Sequence, residues 1–377
     1  MHKTFDIIVL GAGAHGSAAL YQLSKTNKKI CGIDRFTPPH NFGSSHGQTR
    51  IIRQAYHESP MYVPLVQEAY NLWYELEDAT QEKLLLKTGG IMLGNANASV
   101  VTGAKLSAEM HGLDYEYLNA REIKQKFPAL KPTNETVAVV EKDAGILFPE
   151  KCIAAHLEIA AKNGATLLLN EVVQSINQQK SFIEIVTDKS TYQTEKLIVS
   201  AGAWLNDLMP ELNLPLTIER QVLYWFKNEN ASLQPNLLPG KLPVYIWEYE
   251  QGKMFYGFPD VGDGIKIALH HAGEKIIPED LRNIVADNNE VEDIKQIAST
   301  YLEIEPRFNY ADVCMYTNTP DEHFIIDFHP SNNNIIIASP CSGHGFKFAS
   351  VIGKIVSDMA TDQPTQFDLK PFHINRF

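Results

Sequence analysis

The sequence predicts an α/β protein in which a Rossmann-like, doubly wound dinucleotide-binding domain interleaves with a second, α+β domain built on a mixed or antiparallel sheet. Three observations carry this expectation. A continuous apolar strand over residues 5–10 runs straight into Gly11-Ala12-Gly13-Ala14-His15-Gly16 and a helix over 17–23. Two later strands, over 166–169 and 196–200, read as returns of the chain to that first sheet. The stretches around those returns are strand-like and interrupted, with no internal repeat and no low-complexity linker. The nucleotide domain is therefore expected from residues 1–84, 147–215 and 312–377, and the second domain from 85–146 and 216–311.

The glycine motif has the context that gives it meaning. Its first glycine allows a tight turn, its second lets the backbone approach a pyrophosphate, and its third lets helix pack on strand. A second strand over 29–33 ends in Asp34, 21 residues after Gly13, where an acidic side chain accepts hydrogen bonds from a ribose. A plain glycine-rich turn is the bland alternative, and the motif alone does not separate FAD from NAD. The double return, ending at Ala201-Gly202-Ala203-Trp204, is expected of a large FAD domain and not of a simple NAD dehydrogenase.

Composition narrows the class. At 377 residues the chain is long enough for two domains. Its net charge of −12 argues against nucleic acid and anionic membranes as partners. No apolar run approaches the roughly 20 residues of a membrane span. The first residues enter a strand at once, which leaves no room for a signal peptide. Cys31, Cys152, Cys314 and Cys341 are far apart, so neither a metal site nor a disulfide framework is expected. A cytoplasmic, reduced protein is the simplest reading.

Along the chain, residues 41–53 form a polar loop holding Arg50 and Arg53 three apart. A solvated basic loop is the bland reading. Against it stands an apparent lack of nearby carboxylates to neutralise the pair. Residues 59–79 follow as an amphipathic core helix, with Tyr62, Leu65, Val66, Ala69, Leu72, Trp73 and Leu76 at helical spacing. Strand-like segments begin near Leu84, and a helix over 150–162 closes at Gly164. Further strands at 221–226, 244–248, 253–258 and 265–269 precede a long acidic helix over 279–302, solvated on one face.

In the strand over 265–269 and the His270 that follows, a period of two puts Lys266, Ala268 and His270 on one face. A lysine inside an apolar strand is costly unless paired or hydrated. An edge strand with its lysine in water, and a hydrogen-bonded core histidine, are the alternatives. Near the end, short strands at 324–326 and 335–339 lead into Ser342-Gly343-His344-Gly345 and a helix over 346–360. Such a turn aims backbone N–H groups and a positive dipole end at whatever sits there. Cys314 lies upstream in a polar and aromatic setting, whereas a structural cysteine more often sits in an apolar run.

Three stretches together, Cys314-Met315-Tyr316-Thr317, Asp321-Glu322-His323-Phe324-Ile325-Ile326-Asp327 and Ser342-Gly343-His344-Gly345-Phe346-Lys347, resemble the monomeric sarcosine oxidase family, which includes the N-methyltryptophan oxidases. The similarity extends over essentially the whole chain. In that family the equivalent cysteine carries FAD, so the resemblance implies FAD covalently attached through Cys314. A small-residue loop followed by T-R-x-x-R implies that Ser44, Ser45 and Arg50 line the flavin and that Arg50 and Arg53 enter the active site. Many relatives have histidine where Ser45 stands. The resemblance further implies cofactor contacts from Gly11, Gly13, Gly16, Asp34, Arg35, Val173, Gly343, Gly345 and Lys347.

On the substrate side it implies that Arg53 and Lys347 clamp a carboxylate, that Tyr256 and Tyr316 wall the pocket, and that His344 joins them. Lys266 would sit over the flavin and activate oxygen, with His270 and Arg50 as further catalytic groups. The helix start after Gly345 would stabilise charge at the flavin N1–C2 edge. Arg50, Arg53, Lys266, Lys347, His270 and His344 would thus form a cationic site in an acidic protein. The implied reaction is oxidation of an N-methyl amino acid, with O2 as second substrate, by a monomer. Sarcosine leads, and N-methyltryptophan is the nearest competitor. A dehydrogenase feeding a carrier and a non-catalytic flavoprotein subunit are the others, and Lys266 and Cys314 favour the oxidase. Pocket size is expected to depend on Tyr245-Ile246-Trp247-Glu248.

Overall fold

The computed structural model describes residues 3–283 and 286–377. The opening apolar run forms the strand Lys3–Leu10, with Ile7 to Leu10 buried, as strands covered on both faces require. It pairs in parallel with Ile30–Asp34 on one side and Thr191–Val199 on the other. Thr166–Leu169 extends the first side, again in parallel. On the second side the long strand Thr191–Val199 is shared. Its start pairs antiparallel with Ile183–Thr187, and its Leu197–Val199 end pairs parallel with Asn332–Ser339. The strand order therefore reverses between Lys3–Leu10 and Thr191–Val199, the switch point outside which doubly wound sheets bind ligands. The helices Ala14–Leu23, Val63–Thr80, Pro149–Lys162 and Ala349–Ala360 pack one face in a single apolar cluster.

A second eight-stranded sheet runs in the order Pro306–Asn318, Thr217–Asn228, Ile265–His270, Lys253–Phe258, Val244–Glu250, Gly90–Gly94, Val137–Glu141, Glu116–Asn119. It is mixed, since Val244–Glu250 and Gly90–Gly94 are parallel while its other pairs are antiparallel. Pro306–Asn318 is one strand along its whole pairing with Thr217–Asn228, so the boundary expected at 311/312 falls within it. A small third sheet joins Arg50–Ile52, Gly145–Leu147 and Leu85–Lys87. No helix among the described residues is long and apolar enough to cross a membrane.

The long helix expected over 279–302 is broken. A 3-10 segment Pro278–Asn283 comes first, residues 284–285 lie outside the described residues, and the α-helix is Asn288–Tyr301. Asp287 starts it. Its carboxylate accepts from the Asn289 and Glu290 N–H groups while Glu290 reaches back to the Asp287 N–H, a capping box that fixes a new N-terminus.

Candidate active site

At the switch point the glycine turn is shaped by contact. Gly11 has φ +86°, and a Cβ there would lie 2.5 Å from the Ser200 carbonyl oxygen. A Cβ on Gly16 would lie 1.7 Å from the Gly11 oxygen, so any side chain would force the helix start away from the turn. The helix accordingly begins at Ala14, earlier than residue 17. Asp34 closes the strand beside it, accepting from the N–H groups of Ala12 (2.7 Å) and Phe36 (2.8 Å).

From this turn a cleft runs along the seam between the two large sheets. Gly11, Gly13, Asp34, Arg35 and Val173 line it near the turn, and Ser44, Ser45 and Arg50 line it further along. Arg53, Tyr256, His270, Cys314, Tyr316, Gly343, His344, Gly345 and Lys347 line the rest. Two expected residues do not. Gly16 is a packing position behind the turn, and Lys266 stands behind the lining with its amine turned to the backbone.

Lys266 lies on a central strand, flanked by Thr217–Asn228 and Lys253–Phe258, which removes the edge-strand alternative. It is 2 % exposed. Its Nζ donates to the carbonyls of Gly47 (2.8 Å) and Thr49 (2.7 Å) and lies 4.2 Å from the Phe258 ring centre. Burial, helped by Arg50, pushes its pKa well below the usual lysine range. Arg50 caps the same loop through the carbonyls of Thr49 (2.9 Å) and Ser44 (2.8 Å).

Cys314 is buried on the strand Pro306–Asn318, opposite Gln221. Burial raises its thiol pKa while Arg50 and Lys266 oppose that shift. Two residues on, Tyr316 meets the Ser342 turn. Ser342 N–H donates to the Thr317 carbonyl (2.9 Å), and a Cβ on Gly343 (φ +75°) would lie 2.8 Å from the Tyr316 ring. The Tyr316 hydroxyl lies 3.4 Å from both the Tyr256 hydroxyl and His270 Nδ1. The expected helix over 346–360 opens with a 3-10 turn, Phe346–Phe348, before Ala349–Ala360.

Arg53 and Lys347 are both buried and both sit against the Tyr56 ring, at 4.3 Å and 5.3 Å from its centre. The apparent lack of carboxylates near Arg53 does not hold. Arg53 Nη2 donates to Glu58 Oε2 at 2.6 Å and Nη1 to the Ala55 carbonyl at 3.1 Å, leaving Nε without a partner. Burial opposes charge on Glu58, but the Arg53 guanidinium holds its pKa well below the usual carboxylate range. Glu58, Tyr56 and His57 were missed, although Glu58 stands only five residues after Arg53.

The cationic cluster also shrinks. His344 Nε2 donates to the Glu322 carbonyl (3.0 Å), so Nδ1 is the acceptor for the Tyr56 hydroxyl (2.5 Å). Burial lowers His344 to about 3 and, with His271 beside it, His270 well below its usual value. Both rings are neutral. Lys347 donates to the His344 carbonyl (2.8 Å), and burial with Arg53 nearby lowers its pKa to about 7.

This has a measurable consequence. Lys347 attracts a carboxylate only when protonated, so binding of acetate as a probe should be strongest below pH 7. It should weaken as pH rises through the depressed pKa, by at most about tenfold per pH unit. Lys347→Met should flatten that profile, and a profile unchanged by the substitution contradicts the role.

Of the expected pocket-size determinants, only Ile246 lines the cleft. Tyr245 and Trp247 alternate into the core of the second sheet, as strand period two demands. Glu248 accepts from Ser99 Oγ (2.7 Å) and the Val100 N–H (3.2 Å) at the start of the helix Ser99–His111.

A switch-point glycine cradle that opens into a cleft closed by a second sheet defines a flavin-dependent oxidoreductase. Residues 6–359 match the model of the FAD-dependent oxidoreductases, and the chain belongs to that family, in its branch of monomeric sarcosine oxidases and N-methyl-L-tryptophan oxidases. It is 38% identical to a monomeric sarcosine oxidase of Streptomyces avermitilis, covering 100% of this chain and 98% of the relative. A monomeric sarcosine oxidase of an Arthrobacter species is 40% identical, covering 99% and 97%. An N-methyl-L-tryptophan oxidase of Escherichia coli is 36% identical, covering 99% of each. The fold is shared with NikD, described as an unusual amino acid oxidase essential for nikkomycin biosynthesis (TM-score 0.85, 20% identity, 98% and 97% coverage). Glycine oxidase of Geobacillus kaustophilus is similar too (TM-score 0.83, 18% identity, 100% and 99% coverage). The cradle at Gly11 and Gly16, the Asp34 carboxylate and a cleft lined from Asp34 and Val173 through to Lys347 fit FAD.

Proposed function

We propose that the chain is an FAD-dependent oxidase of N-methyl amino acids, acting on sarcosine, with FAD attached through Cys314. One observation supports it most. A buried Arg53–Lys347 pair lines the same cleft as Cys314 and the Tyr256–Tyr316–His270 wall, and the glycine turn lies on that cleft too. The full-length likeness to sarcosine oxidases points the same way. We also propose that it acts as a cytoplasmic monomer.

FAD, when bound, accepts two electrons from the substrate and returns them to O2. The chain's own residues hold and orient. Arg53 and Lys347 bind the substrate carboxylate by charge-assisted hydrogen bonds. The Tyr256 and Tyr316 rings keep water from the N-methyl group, and the neutral His270 ring accepts a hydrogen bond from the N–H of the substrate amine, which enters uncharged. Lys266 and Arg50 supply charge on the oxygen side. Sarcosine, O2 and water give glycine, formaldehyde and hydrogen peroxide.

Steady-state kinetics over N-methyl amino acids test this reading, with sarcosine expected to have the highest kcat/KM. A clear preference for N-methyl-L-tryptophan moves the reading to the bulkier substrate, and no turnover of any member overturns it. Attachment is tested separately. Acid-precipitated wild-type protein should stay yellow and Cys314→Ser should release its flavin. Colour lost entirely to the supernatant of the wild type contradicts attachment.

A further inference from the structure

His57 lines the cleft with Arg53, Glu58, Ile246, Tyr256 and His270. Its position is fixed from behind. Glu141 accepts from the N–H groups of Gln54 (2.9 Å) and Ala55 (2.6 Å), and Ser107 Oγ donates to the Tyr56 carbonyl (2.5 Å). Gly103 then brings the helix Ser99–His111 so close that a Cβ on it would lie 2.2 Å from the His57 carbonyl oxygen. The backbone here has nowhere to go.

The ring faces the Glu58 carboxylate through one nitrogen and, among the described residues, has no partner at the other. Its side chain is 7% exposed, and Nδ1 has no hydrogen-bond partner although Glu58 Oε2 lies 3.4 Å away. Among the described residues the His57 side chain makes no hydrogen bond. Burial lowers its pKa to about 4, so at neutral pH the ring carries one donor and one acceptor. Buried polar side chains are nearly always paired, and an unpaired one calls for an explanation. Neither Arg53 nor Lys347 needs this ring, since each already has backbone partners.

We infer that His57 is a specificity-determining residue that hydrogen-bonds a short polar group on the substrate's α-carbon, so that the site accepts N-methyl amino acids bearing a hydroxyl or amide there. This rests on the oxidase reading above. A carboxylate held by Arg53 and Lys347 leaves the α-carbon beside them, and both cations act electrostatically on His57. Nδ1 is shut off against Glu58, so Nε2 is the nitrogen left for substrate; an apolar substituent of equal size leaves it unpaired, while a hydroxyl satisfies it.

The test compares kcat/KM for sarcosine, N-methylalanine and N-methylserine in wild type, His57→Leu and His57→Asn, with thermal midpoints for all three proteins. One neutral hydrogen bond corresponds to about a tenfold difference, so wild type should prefer N-methylserine to N-methylalanine by about that factor. His57→Leu should bring the ratio to about one and leave the thermal midpoint unchanged or raised. His57→Asn, which keeps a donor and an acceptor, should retain part of the preference. A wild-type ratio at or below one overturns the inference. So does equal loss on all three substrates, or a lowered midpoint that marks the ring as structural. If sarcosine fails to bleach the flavin anaerobically, the oxidase reading fails and takes this inference with it. Bleaching by sarcosine without a serine preference removes His57 alone.

Discussion

Replacing Lys266 by Met should leave flavin reduction by substrate nearly unchanged and slow reoxidation by O2 on the order of 10²–10³-fold. One-electron reduction of O2 makes an anion, and a fixed proton donor in a dry site stabilises that charge as it develops. In the proposed function Lys266 is that group. It is buried between Trp225 and Phe258 and fixed by two carbonyls. Methionine has similar length and no charge, so the strand should keep its packing. Because burial lowers the lysine pKa, the protonated fraction falls as pH rises through that depressed value. Wild-type reoxidation should slow over the same range, and the variant should lose the dependence. Stopped-flow measurement of the two half-reactions separates the cases. Slowed reduction with fast reoxidation places Lys266 in the amine chemistry instead.

Arg53→Ala should weaken sarcosine by one to two powers of ten, since a charge-assisted hydrogen bond contributes roughly 1.5–3 kcal/mol. N-methylamines without a carboxylate should bind poorly to wild type and be nearly indifferent to the change. The Glu58 contact complicates the single variant, because removing Arg53 leaves a buried carboxylate without its partner, which costs about 3–5 kcal/mol. The double variant Arg53→Ala/Glu58→Gln removes that penalty. It should recover stability without recovering carboxylate affinity. Equal loss for amines with and without a carboxylate contradicts the assignment.

What could be read from the sequence was what local geometry decides. Gly11 supplies the positive φ of the turn and Gly16 is pressed against the Gly11 carbonyl within one strand–turn–helix, and Lys266, Ala268 and His270 share a face because strands have period two. What could not be read depends on distant pairing. That Ile265–His270 is central follows from its registers with Thr217–Asn228 and Lys253–Phe258, and that Cys314 belongs to the second sheet follows from the register of Pro306–Asn318 with Thr217–Asn228, which no local pattern encodes. The Glu58 partner of Arg53 appears only once the loop is folded back. The neutral states of His270 and His344 come from burial, so counting basic residues overstated the positive charge of the site. The helix break at Asp287 was legible, since Asp287-Asn288-Asn289-Glu290 is a capping signal, but the surrounding acidic run masked it.

Oxidative demethylation of an N-methyl amino acid at a flavin held in this cleft releases three products that can be counted. The direct measurement is product stoichiometry when the purified yellow protein is given sarcosine in air. Formaldehyde, glycine and hydrogen peroxide should appear in equal amounts, with one O2 consumed for each sarcosine. Bleaching of the flavin with no peroxide and no O2 uptake would make the protein a dehydrogenase, and an unbleached flavin across the N-methyl amino acids would rule out this chemistry altogether.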